Sequence, residues 1–270
     1  KVGIISGDGN LPLYIGKTLI KKKFDITFFL LKSVKDKGIY KKYNNINIDI
    51  ISIKKIIDVL NHHNIKKIIF AGGLRRPSIK DLSFDFDTIK LAKILLLEKK
   101  GDNNLLESIK NYFEKKEFIF FNWTKHCPEI FSNEKYLSNI MPSKYANKNL
   151  IKAKNIYQQY KKIDVGQSLI VQNQLILGLE AIEGTDQLIE RCRNYKRKGD
   201  KGILLKFSKK NQSNLIDIPL IGLQTVKNLK KYDYEGVFLE KNKCLIVDKE
   251  KVVNYANRNK IFISSVDLNE

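Results

Sequence analysis

Val2-Gly3-Ile4-Ile5-Ser6-Gly7-Asp8-Gly9-Asn10-Leu11-Pro12 is the stretch that decides the fold class. VGIIS is a short apolar run closed by a glycine-rich turn, the pattern of a buried strand. Pro12 suits the first turn of a helix, where a missing N–H costs little, and a helix is expected over 13–23. The alternation continues outward. Residues 26–31 (ITFFLL) read as a strand, and 53–62 as a helix with apolar Ile53, Ile56, Ile57 and Leu60. Residues 65–71 are a strand running into Gly72-Gly73, 88–99 and 103–115 are helical, and 118–121 is a strand. Near-continuous apolar strands between helices predict a doubly wound, Rossmann-like parallel sheet covered on both faces, over residues 1–125.

Residues 126–146 hold Pro128 and Pro142 without a clean period and read as a connection. Residues 147–270 then predict a second α/β domain with a mixed sheet. It has a helix over 148–161, a hairpin SLIVQ-NQ-LILGL turning at Asn173-Gln174, and a helix over 185–195. The strand GILLKF, a helix over 223–230, a hairpin-like GVFLE-KNK-CLIVD, a helix over 249–258 and the strand IFISSV complete it.

The chain has 270 residues, 43% of them hydrophobic, enough for two cores. Its formal charge is +21, from 50 Lys+Arg against 29 Asp+Glu. Apart from Arg75, Arg76, Arg191, Arg193, Arg197 and Arg258, the positive charge is lysine, accompanied by abundant Ile and Asn. Two readings stand: compositional drift of an AT-rich genome, or attraction to an anionic surface or substrate. Basic motifs interleaved with aromatics and zinc-finger spacings are absent, so no nucleic-acid partner is expected. Cys127, Cys192 and Cys244 form no CxxC pair, which fits a reducing compartment. With no basic-then-apolar leader and no apolar run of membrane-spanning length, a cytoplasmic protein is expected.

Chemistry concentrates where glycine or acid meets a strand end. GDGNLP (Gly7–Pro12) lacks a full GxGxxG, yet a helix start after a glycine turn holds phosphate well; the bland alternative is a tight turn. In AGGLRRP (Ala71–Pro77), Gly72 and Gly73 permit close backbone approach and Arg75 or Arg76 offers a bidentate phosphate grip, unless the segment is only a basic loop. Asp102 in KGDNNLL is either a ligand contact or a helix cap. In the second half, carboxylates sit beside small residues in DVGQ (Asp164–Gln167), EGTD (Glu183–Asp186) and IDIPLIG (Ile216–Gly222). An unpaired buried carboxylate is costly, so three such edges predict convergence on one polar site. Asp217, in an apolar frame, suits a hard cation or a water's proton, whereas Thr185 or Asp186 has the alternative role of helix cap. His62, His63 and His126 lack metal-ligand spacing, and Trp123 reads as packing.

The ordered set GDGNLP, AGGLRRP, KGDNNLL, DVGQ, EAIEGTD, LLKFSKKNQ and DIPLIG resembles the UDP-2,3-diacylglucosamine pyrophosphatases of the LpxI type, nearly end to end and most weakly over 122–147. The resemblance implies an N-terminal Rossmann-like domain and a distinct C-terminal α/β domain. It also implies hydrolysis of UDP-2,3-diacylglucosamine to UMP and 2,3-diacylglucosamine 1-phosphate (lipid X) in lipid A biosynthesis, with Mg²⁺ or another divalent cation. The essential acid falls on Asp217, a metal ligand or base, with Asp186 as a second catalytic candidate. Substrate contacts fall on Gly9, Leu11, Pro12, Gly72, Gly73, Arg75, Asp102, Gln167, Glu183, Gly184, Thr185, Arg191, Lys206, Lys209 and Gln212. The chain departs from the family at Leu215, where the family has Arg, and at Asp8 inside the usual all-glycine turn. The implied partners are the lipid-linked nucleotide sugar and, peripherally, the anionic inner-membrane surface of a Gram-negative bacterium, with a homodimer allowed. An apolar cavity for two acyl chains is expected, most naturally between the domains. The competing classes are a nucleotide-binding enzyme of other chemistry, such as a dehydrogenase, and a basic nucleic-acid module. The first lacks the full glycine fingerprint; the second rests on charge alone.

Overall fold

A computed structural model describes residues 1–48, 53–73, 102–160, 166–209, 215 and 218–268. The helix expected over 88–99, Asp164, Arg75, Gln212, Asp217 and the side chain of Asp102 lie outside the described residues. The chain divides into two compact units, Lys1–Pro128 with Ser213–Asp217, and Glu129–Gln212 with Ile218–Glu270.

Unit 1 runs β1 (Val2–Ser6), α1 (Leu11–Lys21), β2 (Ile26–Leu31), β3 (Asn45–Ile48), α2 (Ile53–His62), β4 (Lys67–Ala71), α3 (Asp102–Lys115) and β5 (Ile119–Phe120). Its sheet has the order β3-β2-β1-β4-β5 and every pairing is parallel. β1 and β2 are buried along their whole length, Ser6 and Thr27 included, as their near-continuous apolar runs require of strands covered on both faces. β3 (NINI) escaped the sequence reading because it is a half-exposed edge whose polar residues alternate with isoleucine. The chain order reverses around β1, so the loops after β1 and β4 leave side by side at the sheet's switch point.

Unit 2 contains α4 (Lys144–Tyr160), β6 (Ser168–Gln172), β7 (Leu175–Leu179), α5 (Thr185–Cys192), β8 (Ile203–Lys206), β9 (Leu220–Ile221), α6 (Leu223–Lys231), β10 (Gly236–Glu240), β11 (Leu245–Ile246), α7 (Lys249–Arg258) and β12 (Phe262–Val266). Its main sheet has the order β12-β10-β8-β6-β7. β8, β10 and β12 are parallel, while β6 is antiparallel to both β8 and β7, giving the expected mixed sheet. Strand alternation feeds two cores. Leu169, Val171, Ile203 and Leu205 pack with Ala153 and Tyr157 of α4. Ile170, Leu204 and Val237 pack with Leu188, Val226 and Val252 of α5, α6 and α7. Asn173 and Gln174 close the β6–β7 hairpin with φ of 50° and 59°, the left-handed pair that a two-residue hairpin turn requires.

One expected hairpin does not form. GVFLE-KNK-CLIVD turns as a hairpin would, with Lys243 N–H donating to Glu240 O, but both edges of β10 are already occupied by parallel β8 and β12. The returning strand β11 pairs instead with β9, in a separate two-stranded parallel sheet. Within the stretch 126–146, Phe131 bridges to Leu245 and Tyr136 to Ser264, and Ser143 Oγ accepts from Ala146 N–H. That cap starts α4 at Lys144, a turn before the expected 148.

Candidate active site

In unit 1 the candidate site is built from backbone. Gly7 N–H donates to Ala71 O, and Asp8 and Gly73 exchange N–H···O bonds in both directions. The turns after β1 and β4 therefore touch directly. A Cβ on Gly7 would stand 2.4 Å from Gly73 O, and one on Gly72, whose φ is +89°, would stand 2.7 Å from Gly7 O. Those glycines are required by chain against chain. Gly9 differs: its φ is +96° with open space around it. Leu11 and Pro12 are buried at the start of α1 and serve its packing. Asp8, the departure from an all-glycine turn, is matched by Lys35, 3.4 Å from its carboxylate. Partial burial would raise the Asp8 carboxyl, but the Lys35 backbone N–H and ammonium outweigh it and hold it below its ordinary value. The other departure, Leu215, has its carbonyl held by Trp123 Nε1 at 3.3 Å.

In unit 2 the candidate site is built from side chains. β6 and β8 are antiparallel, and their register sets Ser168, first in β6, opposite Lys206, last in β8. Both follow the alternation of Ile170 and Leu204, so they face the α5 side. Lys206, only 4% exposed, donates from Nζ to Thr185 Oγ1 at 2.6 Å and Ser168 Oγ at 3.1 Å. Thr185 Oγ1 lies 3.2 Å from both oxygens of Glu180, and Glu180 is 3.7 Å from Lys206 Nζ. A buried cation, two hydroxyls and a carboxylate thus meet where α5 begins. The start of α5 adds its N–H groups and the positive end of its dipole.

The turn into α5 is braced. Arg191 donates from Nε to Glu183 at 2.9 Å and from its η2 nitrogen to Leu179 O at 2.7 Å, while Ala181 N–H donates to Glu183. Partial burial would raise the Glu183 carboxyl; its own backbone N–H, the Arg191 guanidinium and Ala181 N–H overcome that and lower it. Neither Thr185 nor Asp186 caps the helix: the N-cap is Gly184, with φ +82° and no side-chain cap bond. Asp186 instead carries a buried Oδ1 without a hydrogen-bond partner among the described residues.

At the same end of the sheet, on the α4 face opposite Lys206, Glu240 ends β10. It accepts from Ser208 N–H and Oγ at 2.7 Å each, from Lys243 Nζ at 2.7 Å and from Tyr157 OH at 3.3 Å. These bonds fix the root of the segment carrying Lys209. Burial pushes the Cys244 thiol up to about 12, so it is not a nucleophile. Gln167, mostly buried, precedes Ser168 and receives Phe207 N–H at its carbonyl.

The structure therefore gathers Gln167, Glu183, Gly184, Thr185, Asp186, Arg191, Lys206 and Lys209 around one end of the second sheet. It gathers Gly9, Leu11, Pro12, Gly72 and Gly73 around the switch point of the first. Sequence reasoning missed Ser168 and Glu180; the available signal was a polar residue at each end of the hairpin's apolar run. A cavity of about 610 Å³ opens at the opposite end of the second sheet, beside Gly199, Glu235 and Ile261, and holds none of the expected site residues.

Comparisons with known proteins give one answer over the whole chain. Residues 1–130 match the LpxI N-terminal domain and residues 133–264 the LpxI C-terminal domain. A relative from Caulobacter vibrioides, UDP-2,3-diacylglucosamine pyrophosphatase LpxI, is 26% identical over 277 residues, spanning 100% of this chain and 99% of the relative. A parallel sheet followed by a mixed one, with both family domains matched in order, makes the chain a member of the LpxI family.

Proposed function

We propose that this protein hydrolyses the pyrophosphate of UDP-2,3-diacylglucosamine to UMP and lipid X, a step of lipid A biosynthesis. The observation that carries the reading is the end-to-end match to a relative so named, and the chemistry around Lys206 is compatible with it. Pyrophosphate hydrolysis requires neutralised phosphoryl oxygens and an oriented water. The water's oxygen joins one phosphorus and the bridging oxygen leaves with the other. Lys206 and the α5 N-terminus supply positive potential, Ser168 and Thr185 hold Lys206 in place, and the Arg191–Glu183 pair fixes the turn that presents Gly184. Asp217 is the residue we assign to the attacking water or to a cation. The proposed setting is cytoplasmic, with peripheral contact to the inner membrane; among the described residues no helix is long and apolar enough to cross one.

A divalent cation, Mg²⁺ in the first instance, is part of the proposal. Among the described residues no three His, Cys, Asp or Glu side chains cluster to hold a metal, and Glu180 and Glu183 are engaged by Lys206 and Arg191. Asp186 fits: a buried carboxylate oxygen without a donor is a good partner for a hard cation. Asp186 would be one ligand of the ion, which would supply charge neutralisation to the pyrophosphate. The test is turnover of UDP-2,3-diacylglucosamine with and without excess EDTA, in the parent and in Asp217→Ala. Chelation should abolish turnover, and Asp217→Ala should lower it by about two to three orders of magnitude in a folded protein. Full activity in chelator removes the metal, and a variant within tenfold of the parent removes Asp217 from the mechanism.

A further inference from the structure

We propose that the outward face of α4 is the surface on which this protein docks to an anionic phospholipid bilayer. The inference rests on the lipid-borne substrate proposed above and adds where the lipid surface is met. Along α4, Lys144, Lys148, Ile151, Lys152 and Asn155 recur at intervals of three and four and are all exposed, which places them on one stripe of the helix. Their inner counterparts Ala146, Asn149, Ala153 and Tyr157 are buried. The three stripe lysines form no ion pair among the described residues; Lys144 lies 5.2 Å from the Tyr145 ring. The helix holds no acidic residue. The acids nearest its first turns are engaged: Glu235 receives Ser143 N–H and Oγ, and Asp200 receives Asn149 Nδ2.

Among these lysines stand apolar side chains that the described residues leave exposed. Ile151 is 63% exposed, Met141 just before the helix 56%, and Tyr145 50%. Lysines interleaved with large apolar groups on one helix face are the composition of an interfacial helix, whose cations meet lipid phosphates while its apolar groups enter the headgroup boundary. Two other lysine-rich helices differ. α7 carries Glu250 in its first turn, and α6 places Lys227, Lys230 and Lys231 on a face without large exposed aliphatics. Two other occupants fit less well. A second copy related by a two-fold axis would set these lysines against themselves. A nucleic acid has no use for Ile151 and Met141, and α4 lacks the arginines that grip phosphates bidentately. At its far end α4 carries Tyr157, bonded to Glu240 at the end of β10, so the docked helix runs toward the sheet end that carries Lys206, on the opposite face of the sheet.

The test is sedimentation of the full chain with vesicles of phosphatidylcholine containing a minority of phosphatidylglycerol, and with phosphatidylcholine alone. The proteins are the parent, Lys144→Gln/Lys148→Gln/Lys152→Gln, Ile151→Ser, and Lys227→Gln/Lys230→Gln/Lys231→Gln as a control of equal charge. The parent should bind only the anionic vesicles, and less as salt rises. The α4 triple should lose about a hundredfold, roughly fivefold per lysine, Ile151→Ser several-fold, and the α6 triple much less. Equal losses in both triples, or a parent indifferent to phosphatidylglycerol, would overturn the proposal. So would a fall in solution mass of the α4 triple from dimer to monomer, which assigns the face to a second copy. Hydrolysis of detergent-dispersed substrate separates this from the reaction. The α4 triple should match the parent there; a parent that binds vesicles through α4 yet hydrolyses nothing leaves the docking face standing and removes the reaction.

Discussion

The switch point of the first sheet and the polar end of the second both collect residues that stand out in the sequence, but for opposite physical reasons. At the first, Gly7 and Gly72 are needed because two backbones run within van der Waals distance of each other. A ligand need not be invoked for either. At the second, Lys206, Ser168, Thr185 and Glu180 form a buried polar network at a helix start. Burying such a network is costly unless every member is paired, and nothing about the fold of an α/β sheet demands it. A glycine motif is ambiguous until its backbone contacts are known, whereas a buried cation among hydroxyls is not explained by the packing of the sheet.

The sharpest way to break this contrast is Lys206→Met. If the network serves catalysis, turnover should fall at least a hundredfold through loss of a fixed cation. Stability should also fall, by about 2–3 kcal/mol, because Glu180 is left without its partner. Adding Glu180→Gln should recover stability and leave turnover low. A double variant that recovers both makes the network a structural strut, and the two regions then differ only in how they hold the chain together.

The complementary experiment is Gly72→Ala. The new methyl would meet Gly7 O in a backbone conformation unfavourable to alanine, so a stability loss of about 1–3 kcal/mol is expected, with kcat and KM of the folded fraction little changed. A raised KM in an undiminished melting curve would reverse the assignment and make the glycine pair a ligand contact.

Legibility followed the same division. The parallel sheet of unit 1 was readable because VGIIS, ITFFLL and KIIFA are apolar apart from Ser6, Thr27 and Lys67, a near-continuous run that suits strands covered on both faces. The β6–β7 hairpin was readable because its register is local. GVFLE-KNK-CLIVD misled because its turn is local while its strand partners are not: β8 and β12, distant in sequence, occupy β10 before β11 can. Thr185 looked like a cap because of its type and place, yet its hydroxyl is drawn to Lys206 and Glu180, which no spacing rule reveals. Ser168 and Glu180 were hidden for the same reason. Their roles come from antiparallel register across the sheet, whereas the glycines advertised themselves through local turn chemistry.

The smallest expected effect concerns the brace beside the network. The Glu183 carboxyl is lowered from its usual 4.5 in the folded protein, against the upward pull of partial burial, by backbone donors and Arg191. A carboxyl depressed by folding contributes stability that is fully present above its unfolded value and is lost as pH falls through the folded one. Arg191 is 44% exposed, so solvent screens the pair and its worth stays below about 1 kcal/mol. Denaturant unfolding of the parent and Glu183→Gln should therefore show a small, constant difference at neutral and mildly acidic pH. The difference should shrink once the pH drops below the unfolded value, where the parent's carboxyl takes up its proton. The Lys206 network is shielded from water and should respond far more weakly to added salt than this pair. A parent–variant gap that stays constant well below pH 4 would show that Glu183 braces the turn by shape and neutral hydrogen bonds, and the distinction between a screened brace and a buried network would have to be drawn from Lys206 alone.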